Sequence, residues 1–188
     1  MPIRKLKHEE IKRHSLEEIG GIEKMPVCVL LSDIRSSYNA GSIFRTSDGA
    51  GVRKLFMCGY TPPGDKKEVM KTALGSVESV EWESVKDSVE LIKKLKSEGY
   101  TICALEIAEG SIPYNKLERI SFPVCLIVGN EITGVKEELM NLCDFAIEIP
   151  QQGIKQSLNV AVAYGIAIFS LREYYEKTIN NSELRIKN

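Results

Sequence analysis

Pro123-Val124-Cys125-Leu126-Ile127-Val128 runs directly into Gly129-Asn130-Glu131-Ile132-Thr133-Gly134. The first six residues form a short run that is apolar throughout, rich in Val and Ile. That pattern predicts a strand covered on both faces, as in a parallel sheet between helices. The six that follow hold two glycines, which predicts backbone packed tightly against a neighbour, with Glu131 solvated if nothing else contacts it. Ligand sites in open α/β sheets collect at the carboxyl ends of strands, so this loop is the first candidate for chemistry.

Working outward, further strands are predicted at residues 26–32, 54–58, 77–82, 100–105 and 145–149. Helical patterns lie between them at 39–50, 66–74, 86–98 and 135–143, and another precedes the first strand near 7–18. Such alternation predicts an α/β domain, with a mostly parallel sheet and helices on both faces. The segment 157–176 differs, because Leu158, Val160, Ala161, Val162, Ala163, Ile166, Ala167, Ile168 and Phe169 make it apolar nearly all round. A helix of that kind is buried on more than one side, and one of those sides suits a subunit interface. Residues 177–188 read as a polar, frayed tail, and residues 1–25 as a short basic helical extension. With no internal repeat or low-complexity linker, 1–188 is expected to be one domain.

The chain has 188 residues, 43% hydrophobic and 27% charged, and a net charge of −1. That is the balance of a globular protein with a sizeable core. A near-neutral charge gives no general affinity for nucleic acid, so any basic surface must be local. The candidate is the start of the chain, where Arg4, Lys5, Lys7, Lys12 and Arg13 outnumber Glu9 and Glu10. Five cysteines, Cys28, Cys58, Cys103, Cys125 and Cys143, form no C-x-x-C and are odd in number. This predicts buried thiols in a reducing compartment rather than disulfides or zinc. No apolar run approaches the roughly 18 residues of a membrane span, and the charged N-terminus lacks a secretory apolar region. A cytoplasmic protein is expected.

Familiar chemistries lose their support in turn. Neither G-x-G-x-x-G nor G-x-x-x-x-G-K-[ST] occurs, which weakens dinucleotide and nucleoside-triphosphate readings. The only histidines are His8 and His14, in the N-terminal stretch, so a Ser-His-Asp triad or histidine metal site is not expected. Two other post-strand loops carry unusual content. The first runs from Ser32 through Arg35 and Asn39-Ala40-Gly41 to Arg45. Asn39 suits a helix N-cap, Gly41 allows close backbone approach, and Arg45 lies round the helix from the buried Ile43. The second runs from Pro150 to Ser157-Leu158-Asn159, with Ser157 suited to cap the apolar helix at its positive end. Alone, each is an ordinary cap or surface residue.

Together the loops resemble the three motifs of the SpoU-type RNA ribose 2′-O-methyltransferases, within the SPOUT superfamily. These are Asn39-x-Gly41-x-x-x-Arg45, then Val128-Gly129-Asn130-Glu131-x-x-Gly134, then Ile149-Pro150 followed by Ser157-Leu158-Asn159-Val160. Lys71-Thr72-Ala73-Leu74-Gly75 is also seen in relatives, and the likeness spans residues 26 to about 175. The resemblance implies a homodimer whose C-terminal segment is tied in a trefoil knot, a topology that the general rules treat as exceptional. It implies S-adenosyl-L-methionine as cofactor, bent within the knot and held largely by backbone groups of Leu105 or Glu106, Gly129, Ile149 and Leu158. It assigns catalysis to Arg45 with Asn39, Glu131, Ser157 and Asn159, and suggests that Arg45 serves the other subunit's cofactor. Arg45 acts either as general base or as a clamp on the adjacent phosphate; loss of a proton from guanidinium, whose pKa exceeds about 12, is costly. RNA is expected to meet Arg4, Lys5, Lys7, Arg13, Arg35 and Arg45. Few residues precede Pro26, so the N-terminal RNA-binding domain of some ribosomal-RNA relatives is not expected, and tRNA is favoured over rRNA. No metal is expected. The competing readings are a non-enzymatic RNA-binding dimer that keeps the fold, and a nucleotide-dependent small-molecule enzyme of ordinary doubly wound fold.

Overall fold

The computed structural model describes residues 3–12 and 14–186; Arg13 lies outside the described residues. A single 3-10 turn at His8–Glu10 leads into α1 (Leu16–Gly20), β1 (Met25–Ser32), α2 (Ser37–Ala50) and β2 (Val52–Cys58). There follow α3 (Lys67–Ala73), α4 (Ser76–Ser79), β3 (Glu81–Val85), α5 (Ser88–Ser97) and β4 (Thr101–Leu105). The chain continues through β5 (Ile112–Pro113), a 3-10 turn (Tyr114–Lys116), β6 (Val124–Val128), α6 (Glu137–Met140), β7 (Phe145–Glu148) and α7 (Val160–Ile186).

The strands form one seven-stranded sheet in the order β3-β2-β1-β6-β4-β7-β5. Every pairing is parallel, with Leu31 opposite Val128 and Leu105 opposite Val128 at the carboxyl ends. Period-two alternation splits the strand side chains between two cores. Val27, Val29 and Leu31 of β1 and Leu126 and Val128 of β6 face α2, α3 and α7, joining Ile43, Phe44, Val69, Tyr164 and Ile168. Cys28, Leu30, Cys125 and Ile127 face the other way, against Ile92 and Leu95 of α5 and Leu139 of α6. Helices therefore cover both faces, as the unbroken apolar strands predict. Each fully buried Leu or Ile contributes roughly 1.5–3 kcal/mol relative to exposure. All five cysteines are free thiols, four of them buried. Burial pushes the Cys58 thiol up to about 12 and that of Cys143 to about 11, which disfavours the thiolate at both.

Three sequence expectations need correction, and one strand leaves no signal in the sequence. The predicted 7–18 helix is instead a 3-10 turn and the separate α1, because Ser15 and Glu18 form a reciprocal capping box that starts a new helix there. The strand predicted at 77–82 begins only at Glu81. Gly75 at φ +91 and the Ser76 hydroxyl, which donates to the Ala73 carbonyl at 2.7 Å, turn the preceding residues into α4. The tail expected to fray from residue 177 continues α7 to Ile186. The two-residue edge strand β5 is too short to leave a periodic signal.

The approach of α2 to α3 depends on Gly41. A Cβ there would lie 2.5 Å from the Val69 carbonyl oxygen and 2.8 Å from Thr72 Cβ. On its other side α2 meets α7 through a buried hydrogen bond between Ser47 Oγ and Tyr164 Oη, 2.6 Å long.

Candidate functional site

The loops after β4, β6 and β7 converge on one pocket. Its wall includes Leu105 and Glu106 from the first loop, Gly129 and Glu131 from the second, and Ile149, Ser157 and Leu158 from the third. All five residues for which the resemblance implies cofactor contact (Leu105, Glu106, Gly129, Ile149 and Leu158) lie in this wall. Gly129 admits no side chain, since a Cβ would fall 2.2 Å from the Gly134 carbonyl carbon and 2.3 Å from Val135 N. The loop is closed by paired backbone bonds, Asn130 N–H to the Gly134 carbonyl at 3.0 Å and Gly134 N–H to the Asn130 carbonyl at 2.9 Å. A second support was invisible in sequence: the Glu106 carboxylate accepts from Val135 N at 2.9 Å and from Ile107 N at 2.9 Å.

Glu131 is not the free, solvated side chain that a plain turn would leave. Its carboxylate accepts the N–H of Arg35 at 2.8 Å and of Ser36 at 3.0 Å, and the Asn39 amide at 2.8 Å. Partial burial pushes its pKa up, but these donors outweigh that and hold the carboxyl below its ordinary value. A negative charge at the start of α2 also complements the helix dipole. Asn39 is therefore not the N-cap that its sequence position suggests. Ser36 is, accepting from Asn39 N at 3.3 Å, which frees the Asn39 side chain to bridge. Asn159 in turn donates to Asn39 Oδ1 at 3.1 Å. Glu131, Asn39 and Asn159 thus form one hydrogen-bonded chain across all three motif loops.

Ser157 also departs from expectation. It is exposed and sits three residues before α7, whereas Asn159 Oδ1 accepts from Ala161 N at 3.0 Å and Val162 N at 3.3 Å and caps the helix. Ser157 still lines the pocket, and its side chain forms no hydrogen bond among the described residues. Arg45 is elsewhere. It is exposed on α2 and lines a separate groove with Leu16, Asp48, Leu74, Phe169 and Arg172. Of the five catalytic candidates, one chain brings Asn39, Glu131, Ser157 and Asn159 together and leaves Arg45 apart.

The basic candidates are dispersed. Arg35 is exposed beside the Glu131 carboxylate, and Lys5 and Lys7 are exposed near the chain start. Arg4 is held bidentately by Glu10, both contacts at 2.9 Å, which cancels much of its charge locally.

The sign of the pocket is decisive for its chemistry. Glu106, Glu131 and Glu148 line it, and among the described residues no Lys, Arg or His does. Their hydrogen-bond partners are neutral N–H and O–H donors, Ser111 Oγ for Glu148 at 2.8 Å. A polyphosphate would meet repulsion here, and a cationic ligand attraction. No group of three or more His, Cys, Asp or Glu among the described residues is placed to hold a metal ion. No helix among them is long and apolar enough to cross a membrane.

Comparison with known proteins agrees with this geometry. Residues 26–169 match the model of the SpoU rRNA Methylase family. The chain is 30% identical over 163 residues to an Aquifex aeolicus protein named tRNA (guanosine(18)-2′-O)-methyltransferase, covering 86% of this chain and 76% of that one. It is 31% identical to a Thermus thermophilus protein of the same name, covering 85% and 81%. The crystal structure of the A. aeolicus TrmH/SpoU tRNA modifying enzyme superposes with a TM-score of 0.76 at 28% identity, over 87% of this chain and 83% of that one. An AdoMet-bound rRNA methyltransferase from Sinorhizobium meliloti gives 0.75 at 30% identity, over 83% of this chain and 60% of that one. The three motif loops, their convergence on one pocket and these matches agree: the chain belongs to the SpoU rRNA methylase family.

Proposed function

We propose that this protein transfers a methyl group from S-adenosyl-L-methionine to a ribose 2′-hydroxyl of RNA, with tRNA favoured over rRNA. One observation carries the reading: a pocket that is anionic and built largely from backbone has the Glu131–Asn39–Asn159 chain along its rim. When bound, the cofactor supplies an electrophilic methyl group on a cationic sulfonium. The pocket suits such a group, because three carboxylates face it without a competing cation. In this reading Leu105, Glu106, Gly129, Ile149 and Leu158 hold the cofactor. The same electrostatics disfavour the nucleotide-dependent alternative, whose phosphates would need cations or a glycine cradle.

The residues of the chain must align the ribose oxygen with the methyl group and manage its proton. Asn39 and Asn159 carry no titratable group and are joined by their mutual bond, so their role is to orient. Ser157 forms no hydrogen bond among the described residues, and its exposed hydroxyl is free to accept the proton of the ribose hydroxyl while passing its own to solvent. Arg45 clamps the adjacent phosphate and stabilises charge developing on the 2′-oxygen. It reaches the pocket from a second subunit, in a homodimer formed through the exposed face of α7 beside Arg45. Val162 and Phe169, 53% and 50% exposed, lie seven residues apart on that face and form one apolar stripe. Arg35, Lys5 and Lys7 contribute to the RNA surface.

The proposal includes one domain and the knot. β7 lies beyond β4 in the sheet, yet α7 packs on α2, on the face of β1. Residues 149–159 must therefore cross the ends of β4 and β6, where their loops wall the pocket. Incubation with radiolabelled S-adenosylmethionine and separate tRNA and rRNA pools, followed by mapping of the modified nucleotide, tests the function. Label at a ribose 2′-oxygen is expected. Cofactor binding with no label in any RNA would favour a non-enzymatic RNA-binding dimer.

A further inference from the structure

We infer that Asp33 is a positioning residue for methyl transfer, clamping the 130–136 loop at its start through its backbone carbonyl and at its end through its ion pair with Lys136. The inference rests on the proposed cofactor reading of the pocket, although neither residue lines it. The Asp33 backbone carbonyl accepts from Asn130 Nδ2 at 2.8 Å, which fixes the start of the loop. Its carboxylate meets Lys136 Nζ at 2.7 Å, which fixes the end. Between these two anchors lie Glu131, Ile132 and Gly134 of the pocket wall.

The surrounding chain is shaped to hold this carboxylate. Asp33 adopts φ +57, a left-handed conformation uncommon for a residue with a side chain. The residue is 6% exposed. Its Oδ1 also accepts from Tyr60 N at 3.2 Å. Opposite it stands Gly59 at φ +63, where a Cβ would fall 2.0 Å from Asp33 Oδ1, so glycine makes the room. Asn130 extends the same network. Its amide also donates to Tyr60 Oη at 2.8 Å, and its Oδ1 accepts from Ile132 N at 2.8 Å and Thr133 N at 3.1 Å. Two residues beyond Asp33, Arg35 N–H binds Glu131. Asp33 therefore sets the spacing between the loop that walls the pocket and the first turn of α2, which carries Asn39.

Lys136 is the residue to change, because its side chain is half exposed and its loss leaves the core intact. Lys136→Met is compared with Lys54→Met, which removes the Lys54–Glu83 ion pair between β2 and β3, outside the 130–136 loop and its contacts. Amide exchange in cofactor-free protein comes first. Lys136→Met should speed exchange at Asn130 and Gly134 by about tenfold, and Lys54→Met should not. In the holo-protein, S-adenosylmethionine affinity should fall about tenfold and kcat further, with Lys136→Arg restoring both to within about threefold. Asp33→Asn combined with Lys136→Met should be no worse than the worse single variant. Unchanged exchange, or faster exchange with unchanged affinity and kcat, would overturn the clamp. A wild-type protein that fails to bind the cofactor would instead sink the functional reading, while the exchange arm still judges the clamp.

Discussion

The first turn of α2 and its middle face different partners. Asn39 has both ends of its amide engaged within its own chain, by Glu131 and by Asn159. Arg45, six residues later, forms no hydrogen bond or ion pair among the described residues and stands beside exposed Phe169. Six residues carry a side chain about 9 Å along the helix and about 120° around it. The two motif residues therefore cannot face one pocket from one helix. In the proposed function, the cofactor side of the site is complete in a single chain, whereas the arginine that meets the phosphate comes from a second subunit.

The largest effect is expected from Arg45→Ala, which should lower methyl transfer at least about 10²-fold while leaving S-adenosylmethionine affinity within about twofold. Calorimetry and single-turnover assays on the same samples separate the two. Mixing sharpens the test. Gly129→Val forces a side chain into the Gly134 backbone and should abolish cofactor binding on its own. Mixed dimers of the two dead variants should regain activity, because an intact pocket then meets the neighbour's arginine. Absence of recovery, with mixed dimers demonstrated by mass, would show that Arg45 acts on its own pocket.

Phe169→Glu comes next. A charge on the exposed stripe of α7 should convert a dimer into monomers in sedimentation and reduce transfer by a similar factor, since the arginine is lost with the partner. Phe169 is half exposed in the single chain, so monomer stability should change by no more than about 0.5 kcal/mol. An unchanged mass would remove α7 from the interface.

Much of this division was legible in the residues. The apolar strands at Val124–Val128 and Met25–Ser32 announced a sheet covered on both faces, and the order of the three motif loops announced their meeting. What escaped were bonds whose partners are far apart in the chain. Glu131 reads as a solvated turn residue until Arg35 and Ser36 arrive from 95 or more positions away. Glu106 was placed in the pocket wall by resemblance, yet nothing local marks its carboxylate as the support of Val135. Asp33 and Lys136 lie in plain loop sequence, outside the motifs, although their partner Asn130 lies inside one. Caps were misplaced for a related reason. Asn39 and Ser157 are good capping residues by type, but Ser36 and Asn159 occupy the positions that the backbone makes available.

Asn159 and Ser157 separate structure from chemistry more finely. Asn159→Ala removes two acceptor bonds at the start of α7 as well as the link to Asn39, and should cost about 1 kcal/mol or more. For a chain of this size that lowers the melting temperature by roughly 2–4 °C. Ser157→Ala should leave the melting temperature unchanged and slow transfer alone. If Ser157→Ala destabilised the protein as Asn159→Ala does, the serine would be the true cap and its proposed freedom would vanish.

The smallest effect tests whether the cofactor side is held by charge. Glu131 has a folded pKa below its ordinary 4.5, because burial, which raises it, is outweighed by the donors Arg35 N, Asn39 Nδ2 and Ser36 N. A depressed carboxyl contributes stability that is fully present above the unfolded value and is lost as pH falls through the folded one. Urea unfolding of wild type and Glu131→Gln should therefore differ most at neutral pH, with wild type the more stable. The gap should close only below pH 4.5, as the wild-type carboxyl takes up its proton. The group is partly exposed, so the gap is small and shrinks with salt. A gap that stayed constant with pH would show that shape, rather than charge, joins the Glu131 loop to α2. The anionic pocket wall would then owe one of its three carboxylates to packing.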